Sequence, residues 1–418
     1  MIALALVAVL QADAGDLVRR AMAEEDKDRR SALLSPLRKL DFAAVETAVR
    51  TITRGPAKTE RGQVVERQSK TDHDGEPFSY ALHLPEKYDP GTAWPLLVTL
   101  HGANLGGNPR AGTDWIRTWL RSAAVREKFV VLSPTTVRHT WSSRQGHSHV
   151  LTAMRELSEE LHLDPDRVYL DGMSMGAGGA FRLAEHHPDR WAAIGPRCNV
   201  PDIRQKQDKT FVTMLAENYR NVPVYWVVGA KDEKIPIEMV RAAKAALDAA
   251  QGELVYREAP EGGHDWNLEK DDAILEWYEK HRRVAYPKEI VWKSYEKIFA
   301  RAWWVEVTRR TDPPPLIMIH QDMAGKESER RTELRPPALV RARRNGNAID
   351  LTTEEVRELR VFLDDAMVDL DKPVTITVNG RKMHDGIVKR SVDTLIDEAR
   401  RRHDTSMTFA AYVDLKVK

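Results

Sequence analysis

The sequence predicts an α/β protein with a mostly parallel sheet flanked by helices, followed by a smaller C-terminal domain that is mainly β. Short apolar runs, such as residues 95–100 and 129–134, alternate with helical patterns, which is typical of crossover connections. These runs are apolar on both faces, as strands of a buried parallel sheet are. After Pro287 the hydrophobic period changes to two, which indicates half-buried strands.

Composition sets broad limits on function. The chain has 418 residues, is 42% hydrophobic and 30% charged, and carries a formal net charge of +1. This length suits one large and one smaller domain, and the charge gives no indication of a nucleic-acid or acidic-membrane partner. The single cysteine, Cys198, excludes an internal disulfide, and we interpret it as a small buried hydrophobic residue rather than a nucleophile.

The N-terminus predicts export. Residues 2–10 form an apolar run that is too short to span a bilayer but has the length of a signal-peptide core. Residues 12–14, Ala-Asp-Ala, resemble a cleavage site, although the usual basic start is missing. We therefore predict a signal peptide over 1–14, an exported protein and no membrane span. The alternative is a buried N-terminal element in a cytoplasmic protein. Residues 15–60 are predicted to form a helical arm, either packed on the main domain or mobile.

The main domain, predicted over 61–287, centres on a strand, a tight turn and a helix. Residues 168–170 form a short apolar run, Gly172-Met173-Ser174-Met175-Gly176 follows, and a helical pattern begins near Ala180. This pentapeptide alone also occurs in ordinary glycine-rich turns. The strand before it and the helix after it favour a nucleophile elbow, in which a sharp turn projects the Ser174 hydroxyl above the sheet.

A second glycine-containing loop follows the strand at 95–100 and begins His101-Gly102-Ala103-Asn104. Such a loop can bring a backbone N–H close to a developing oxyanion. We expect the N–H of Ala103 to act with that of Met175, with Asn104 as the nearby alternative. His101 is expected to hold the loop in place.

Two later loops supply an acid and a base. Asp232 follows a core strand at 222–229 and is the predicted acid, with Glu233 directed elsewhere and an exposed turn aspartate as the alternative. His264 follows the strand at 254–258 and two glycines, and is the predicted base. Asp265 is too close in sequence to His264 to orient it easily.

The remaining site predictions concern the pocket and metals. A helix is predicted over 114–126 and another over 150–161, with a loop between them that lines the cleft or is solvated. Trp141 in that loop, Met173 and Trp266 are the predicted pocket residues, and Trp266 could equally belong to the core. The loop's histidines, His139, His147 and His149, lack carboxylate or cysteine partners at metal-ligand spacing, so we predict no metal and no cofactor.

The order Ser174, Asp232, His264 is that of the α/β-hydrolase fold. Residues 64–284 resemble the α/β-hydrolase superfamily, most nearly secreted esterases of the feruloyl esterase and polyhydroxybutyrate depolymerase type, and predicted peptidases near the prolyl oligopeptidase family. The segments that carry the resemblance are 80–85, 100–102, 171–177, 193–198, 229–232 and 263–264. The resemblance implies the fold and the triad, but not the substrate.

The leading hypothesis is a serine hydrolase that cleaves carboxylic esters of a small-molecule or polymer-linked substrate through an acyl-enzyme. A serine peptidase with the same triad and a non-catalytic binding or scaffold protein are the alternatives. No oligomeric state is predicted.

Residues 288–418 are predicted to be a β-rich accessory domain. Strand patterns occur at 303–307, 340–342, 347–351 and 374–378. Asn379-Gly380 predicts a hairpin turn, and a late helix is expected over 392–402. Carbohydrate or polymer binding, a dimer contact, a lid and plain structural support are the roles considered.

Overall fold

An eight-stranded sheet forms the centre of the larger domain. The structure is a computed structural model that describes residues 14–52, 59–69, 77–205, 211–213, 215–295, 300–314, 316–321 and 327–417. The first ten strands are β1 Val64–Gln68, β2 Ser79–His83, β3 Trp94–Leu100, β4 Val130–Pro134, β5 Leu163–Met173, β6 Ala193–Arg197, β7 Ile203–Gln205, β8 Phe211–Thr213, β9 Val224–Gly229 and β10 Leu254–Ala259. All but β7 and β8 belong to the central sheet.

The strand order is β1-β2-β4-β3-β5-β6-β9-β10. Strand β2 is antiparallel to both of its neighbours, and every pair from β4 to β10 is parallel. This order, with a strand–serine–helix turn after β5, is the topology of the α/β-hydrolase fold, as predicted. The parallel strands all end at one edge of the sheet, where ligands bind in open α/β sheets.

Helices cover both faces of this sheet. The helices are α1 Lys27–Leu37, α2 Phe42–Arg50, α3 Ala111–Trp119, α4 Ala123–Lys128, α5 Arg144–Glu160, α6 Met175–His186, α7 Ile237–Ala250, α8 Asp271–Tyr278 and α9 Val392–Arg402, and residues 14–23 are also helical. In β3, Leu96 and Val98 enter one buried cluster with α6, while Leu97 enters another with α8. The side chains on both faces of β3 are therefore buried. This explains why the strands are continuous apolar runs.

Two predicted helices have different bounds. The predicted helix over 114–126 is divided into α3 and α4, because Ser122 caps the second helix by accepting a hydrogen bond from the N–H of Val125. Helix α5 begins six residues before the predicted start, with Ser143 as its cap. The end of the predicted histidine loop, from Arg144 onward, is therefore helix, so the prediction that His147 and His149 belong to a loop is wrong. Both of these side chains are buried, whereas His139 is exposed.

The described strands of the C-terminal part belong to three sheets, two of which surround one core. Its strands are β11 Glu289–Ser294, β12 Arg301–Ala302, β13 Val305–Arg310, β14 Leu316–Gln321, β15 Glu327–Leu334, β16 Ala338–Asn345, β17 Ala348–Glu354, β18 Val356–Leu363, β19 Val374–Val378, β20 Arg381–Gly386 and β21 Ala411–Lys416. The sheets β11-β16-β17-β19-β20 and β12-β13-β18-β21 contribute to the same buried cluster. The third sheet joins β14 and β15 to β7 and β8 of the larger domain. The predicted hairpin is present, with Asn379 and Gly380 at φ 51° and 78°, and α9 has the predicted bounds.

Buried ion pairs join the C-terminal part to the larger domain. Asp189 accepts hydrogen bonds from Arg402 at 2.7 Å and from the N–H of Trp303 at 2.9 Å. Arg283 binds Asp404, and this guanidinium lowers the pKa of Asp404, against the effect of burial, to about 2. Removing one partner of such a buried pair is costly because the other charge stays in a poorly solvated place.

The N-terminal helices pack on helix α9. Apolar side chains of α1, α2 and α9 form one buried cluster, and Arg38 pairs with Asp393 at 2.8 Å. The arm therefore contacts the C-terminal part of the chain. All of the predicted signal peptide except Ala14 lies outside the described residues. Within the described ranges, no helix has the length and apolar character required to cross a membrane.

Candidate active site

Ser174 occupies a strained turn between β5 and α6. Its φ of 56° and ψ of −119° are unfavourable for a residue with a side chain. A Cβ at Gly172 would lie 2.4 Å from the carbonyl carbon of Gly176, and one at Gly176 would lie 2.1 Å from the Leu100 oxygen. Only glycine fits at these two positions. The N–H of Ser174 donates to the carbonyl of Arg197 at 2.9 Å, which ties the turn to β6.

The loop after β3 lies against this serine. A Cβ at Gly102 would lie 3.7 Å from the Cβ of Ser174. The N–H of Thr136 donates to Nε2 of His101, so Nδ1 of that ring carries the proton and donates to the Gly102 carbonyl at 2.7 Å. Burial lowers the pKa of His101, which keeps the ring neutral. Because the peptide group is trans, the N–H of Ala103 is directed away from that carbonyl.

The two other oxyanion candidates differ in how they are held. Met175 is the first residue of α6, so its N–H has no acceptor within the helix and lies at the positive end of the helix dipole. The side chain of Asn104 donates to the carbonyl of Asn108 in its own loop and to that of Thr136 in the loop after β4. That side chain therefore stabilises the loop, and only its backbone N–H is a candidate donor.

Asp232 and His264 form a hydrogen-bonded pair. Nδ1 of His264 lies 2.8 Å from Oδ2 of Asp232, whose other oxygen accepts from the N–H groups of Lys234 and Ile235. The Asp232 side chain is 2% exposed and that of His264 is 11% exposed. The neighbouring Glu233 is exposed. A carboxylate with both oxygens engaged is well placed to orient the imidazole.

Backbone contacts fix the two loops that carry this pair. Lys231 N–H donates to the carbonyl of Gly262 at 2.8 Å, and a Cβ at Gly229 would lie 2.3 Å from the Gly263 oxygen. The side chain of Asp265 caps the following turn by accepting from the N–H of Asn267, so it is engaged away from the imidazole. The loops after β9 and β10 therefore present Asp232 and His264 at the same edge of the sheet as Ser174.

Cys198 lies beside the Asp232–His264 pair. Its Sγ, a ring nitrogen of His264 and a carboxylate oxygen of Asp232 lie within 4.8 Å of one another, close enough for a metal ion. The thiol donates to the carbonyl of Asp265, and burial raises the pKa of Cys198 to about 11. A protonated thiol is a poor ligand and a poor nucleophile, and the imidazole already binds Asp232. The chemistry of these three side chains therefore favours an Asp232 carboxylate that orients His264 over a metal site.

The predicted pocket residues have different environments. Trp141 is fully buried, its indole N–H donates to the His101 carbonyl at 2.9 Å, and a Cβ at Gly179 would overlap it. Trp141 therefore packs against the loop after β3 and stabilises it. The prediction that Trp141 is a pocket residue is wrong. Trp266 is 8% exposed and packs on Arg197, so it belongs to the core, the alternative considered. Met173 is partly buried and precedes Ser174 directly.

Arg197 is a buried site residue that the sequence did not reveal. Its guanidinium carbon lies 3.5 Å from the centre of the Trp266 ring, and Nη1 donates to the Trp266 carbonyl at 3.2 Å. It forms an ion pair with Asp271 at 2.9 Å. The sequence does contain one indication of this residue, an arginine within the otherwise apolar run 191–198. A charged side chain in a buried strand needs a partner for its charge, so this arginine could have been expected to form a buried ion pair.

Asp171, three residues before the serine, lies under the turn. It is fully buried, is 3.9 Å from Arg197 and accepts a hydrogen bond from the Tyr278 hydroxyl at 3.1 Å. Burial raises the pKa of Asp171 to about 7, although Arg197 acts in the opposite direction. The base of the turn is thus a buried polar cluster that includes Arg197, Asp171 and Tyr278.

Comparison with known proteins identifies esterase-like and peptidase-like relatives. A model of the Esterase family matches residues 75–268. A bifunctional acetylxylan esterase/xylanase from Neocallimastix patriciarum is 27% identical over 164 residues, which cover 38% of this chain and 22% of that protein. Dipeptidyl-peptidase 5 from Porphyromonas gingivalis is 23% identical over 253 residues, which cover 50% of this chain and 36% of that protein.

Solved structures also align with the chain. One is a thermostable esterase that is 22% identical, with a TM-score of 0.45 and coverage of 53% of this chain and 63% of that one. The chain spans about a third or less of the length of the curated relatives it matches. The matched segment contains Ser174, Asp232 and His264. Residues 75–268 are similar to the Esterase family, and the strand order of the central sheet is that of the α/β-hydrolase fold.

Proposed function

We propose that this protein is a serine esterase that cleaves carboxylic esters through an acyl-enzyme. The observation that carries the proposal is the position of Ser174 on a strained turn, at the sheet edge where Asp232 binds His264 at 2.8 Å. The similarity of residues 75–268 to the Esterase family supports it. The protein is proposed to be exported, with the signal peptide over residues 1–14.

In this mechanism His264 removes the proton of the Ser174 hydroxyl as Ser174 attacks the ester carbonyl. Asp232 holds the imidazole in one tautomer and stabilises its charged form. The N–H groups of Met175 and Ala103 donate to the oxyanion. As the ester C–O bond breaks, His264 gives this proton to the departing oxygen, which leaves as the alcohol. His264 then activates the water that releases the acid from Ser174. The balanced reaction consumes one ester and one water and yields an acid and an alcohol.

A peptidase is the second candidate, favoured by the similarity to dipeptidyl-peptidase 5 over half of this chain. The same three residues would serve, but the amine leaving group requires its protonation by His264 before departure. The two functions therefore differ in leaving group, and substrate tests separate them. A non-catalytic scaffold would turn over neither substrate.

The test is a series of p-nitrophenyl esters, from acetate to decanoate, beside dipeptide p-nitroanilides, with the native protein and its Ser174→Ala variant. We expect ester turnover that the variant lacks, with a chain-length optimum that reports the size of the acyl pocket. Turnover of anilides alone would replace the esterase proposal with the peptidase one. Equal turnover by both proteins would exclude Ser174 as the nucleophile.

A further inference from the structure

A large cavity lies along helix α5, apart from the serine site. Its volume is about 760 Å³, within the range of small-molecule sites. It is bounded by α5, the first residues of β3 and β5, and the segment that follows α9, and Ser174, Asp232 and His264 do not line it. Arg144 in the first turn of α5 and Ser158 in the last both line it, which gives a length of about 21 Å at 1.5 Å per residue.

The wall of this cavity carries excess positive charge. Seven arginines and one aspartate, Asp404, line it. Three of these arginines are neutralised by carboxylates: Arg283 by Asp404, Arg402 by Asp189, and Arg50 by Glu46 and Asp364. Arg190 and the exposed Arg155 form no ion pair with a carboxylate in the described part of the chain, and Arg401 has only distant contacts of 3.8–4.0 Å. An anion would compensate these charges.

Two of the cations are held where water solvates them poorly. Arg402 is 5% exposed, and its Nε has no hydrogen-bond partner among the residues described. Arg190 donates to the Arg402 carbonyl, and burial together with the charge of Arg402 lowers the pKa of Arg190 to about 10. A buried cation with an unused N–H, next to a second cation that is partly buried, favours binding of an oxyanion.

Part of the cavity wall is apolar. Leu151, Met154 and Leu163 line the cavity and keep part of their surface exposed. A free inorganic anion would leave this surface in contact with water, whereas an apolar group attached to the anion would cover it. We infer that the cavity binds an organic anion with an apolar body, of the alkyl carboxylate class, as a second site distinct from the serine site.

Calorimetric titration of the Ser174→Ala protein with octanoate, octanamide and acetate tests this inference independently of turnover. We expect octanoate to bind at least about tenfold more tightly than the neutral amide or the short acid, a difference of about 1.4 kcal/mol. Added salt should weaken octanoate binding because partly exposed charges are screened. Equal affinity for octanoate and octanamide, or no binding of octanoate, would overturn the inference.

Variants locate the site. Arg155→Gln and Arg401→Gln should each weaken octanoate binding by about fivefold or more, since each removes a charge near the ligand. Arg400→Gln is the matched control, because Arg400 lies on the same helix as Arg401 and does not line the cavity. Circular dichroism checks that the variants fold. Octanoate binding that neither cavity variant weakens would place the ligand elsewhere and overturn the inference.

Discussion

The guanidinium carbon of Arg197 lies 3.5 Å from the centre of the Trp266 ring, and the carbonyl of the same arginine accepts the N–H of Ser174. One residue therefore contacts both the serine turn and the loop that carries His264. It also pairs with Asp271 at the start of α8. We consider Arg197 a positioning residue that couples the two loops.

Replacing Arg197 with lysine should reduce kcat while changing KM less. Lysine retains the charge but loses the flat surface that stacks on Trp266 and the fixed fork of donors. A small displacement of the base relative to the serine should lower kcat by about tenfold or more. Steady-state kinetics on the best p-nitrophenyl ester measure this effect. Arg257→Lys, an exposed arginine on β10, is the control, and an unchanged kcat in folded Arg197→Lys would refute the coupling.

Asp232→Asn should lower kcat by about 10³- to 10⁴-fold with little loss of stability. Asparagine fits the same space, but its amide cannot stabilise the charged imidazole and favours the wrong tautomer. The matched control is Glu233→Gln, which alters the exposed neighbouring carboxylate and should leave kcat unchanged. A larger loss in the Glu233 variant would reverse the assignment of the acid.

Gly176→Ala should destabilise the fold. The added Cβ would lie 2.1 Å from the Leu100 oxygen, a contact that requires the backbone to move. We expect the free energy of unfolding to fall by about 3 kcal/mol, as for severe overpacking, and activity to be lost. Urea unfolding measures the change. Gly106→Ala is the control, because nothing lies within 4 Å of its added Cβ, and equal effects of the two variants would contradict the steric argument.

His147, which is buried, and His187, which is partly buried, should make the protein acid-sensitive. Burial lowers the pKa of His147 well below the ordinary histidine value of about 6.5, with the charges of His187 and Arg182 acting in the same direction. Burial also lowers the pKa of His187, to about 4. Below pH 6.5 the unfolded chain takes up protons that the folded chain does not. Stability is therefore complete above this pH and decreases towards pH 4, by about 1.4 kcal/mol per unit for each histidine.

Urea unfolding at neutral pH and near pH 5 measures this loss. His187→Gln should show a smaller decrease than the native protein, because one of the titrating groups is absent. His139→Gln, at an exposed position, is the control and should retain the native decrease. The same decrease in all three proteins would rule out His187 as a contributor.

Local sequence patterns were sufficient to predict the serine turn and the acid and base loops. The sharp turn at Ser174 requires glycine on both sides, and strands that are apolar on both faces indicate a buried sheet. These patterns together allow few interpretations other than a nucleophile elbow. The hairpin at Asn379-Gly380 was predictable for the same reason, since both residues adopt positive φ.

Long-range contacts were not predictable in this way. The burial of Trp141 is one example, because nothing in the sequence shows that its indole N–H reaches the His101 carbonyl. The partners of Arg197 lie about 70 residues away along the chain, and its role depends on packing that periodicity does not encode. The cavity beside α5 is formed by segments that are distant in sequence, including the residues after α9.

The central claim is that Ser174 is the nucleophile, and covalent labelling tests it most directly. The native protein, treated with a fluorophosphonate probe and digested, is analysed by peptide mass spectrometry. We predict a single adduct on the peptide containing Ser174, slower labelling of Asp232→Asn, and none of Ser174→Ala. A folded native protein that remains unlabelled, or an adduct on another residue that persists in Ser174→Ala, would contradict the claim.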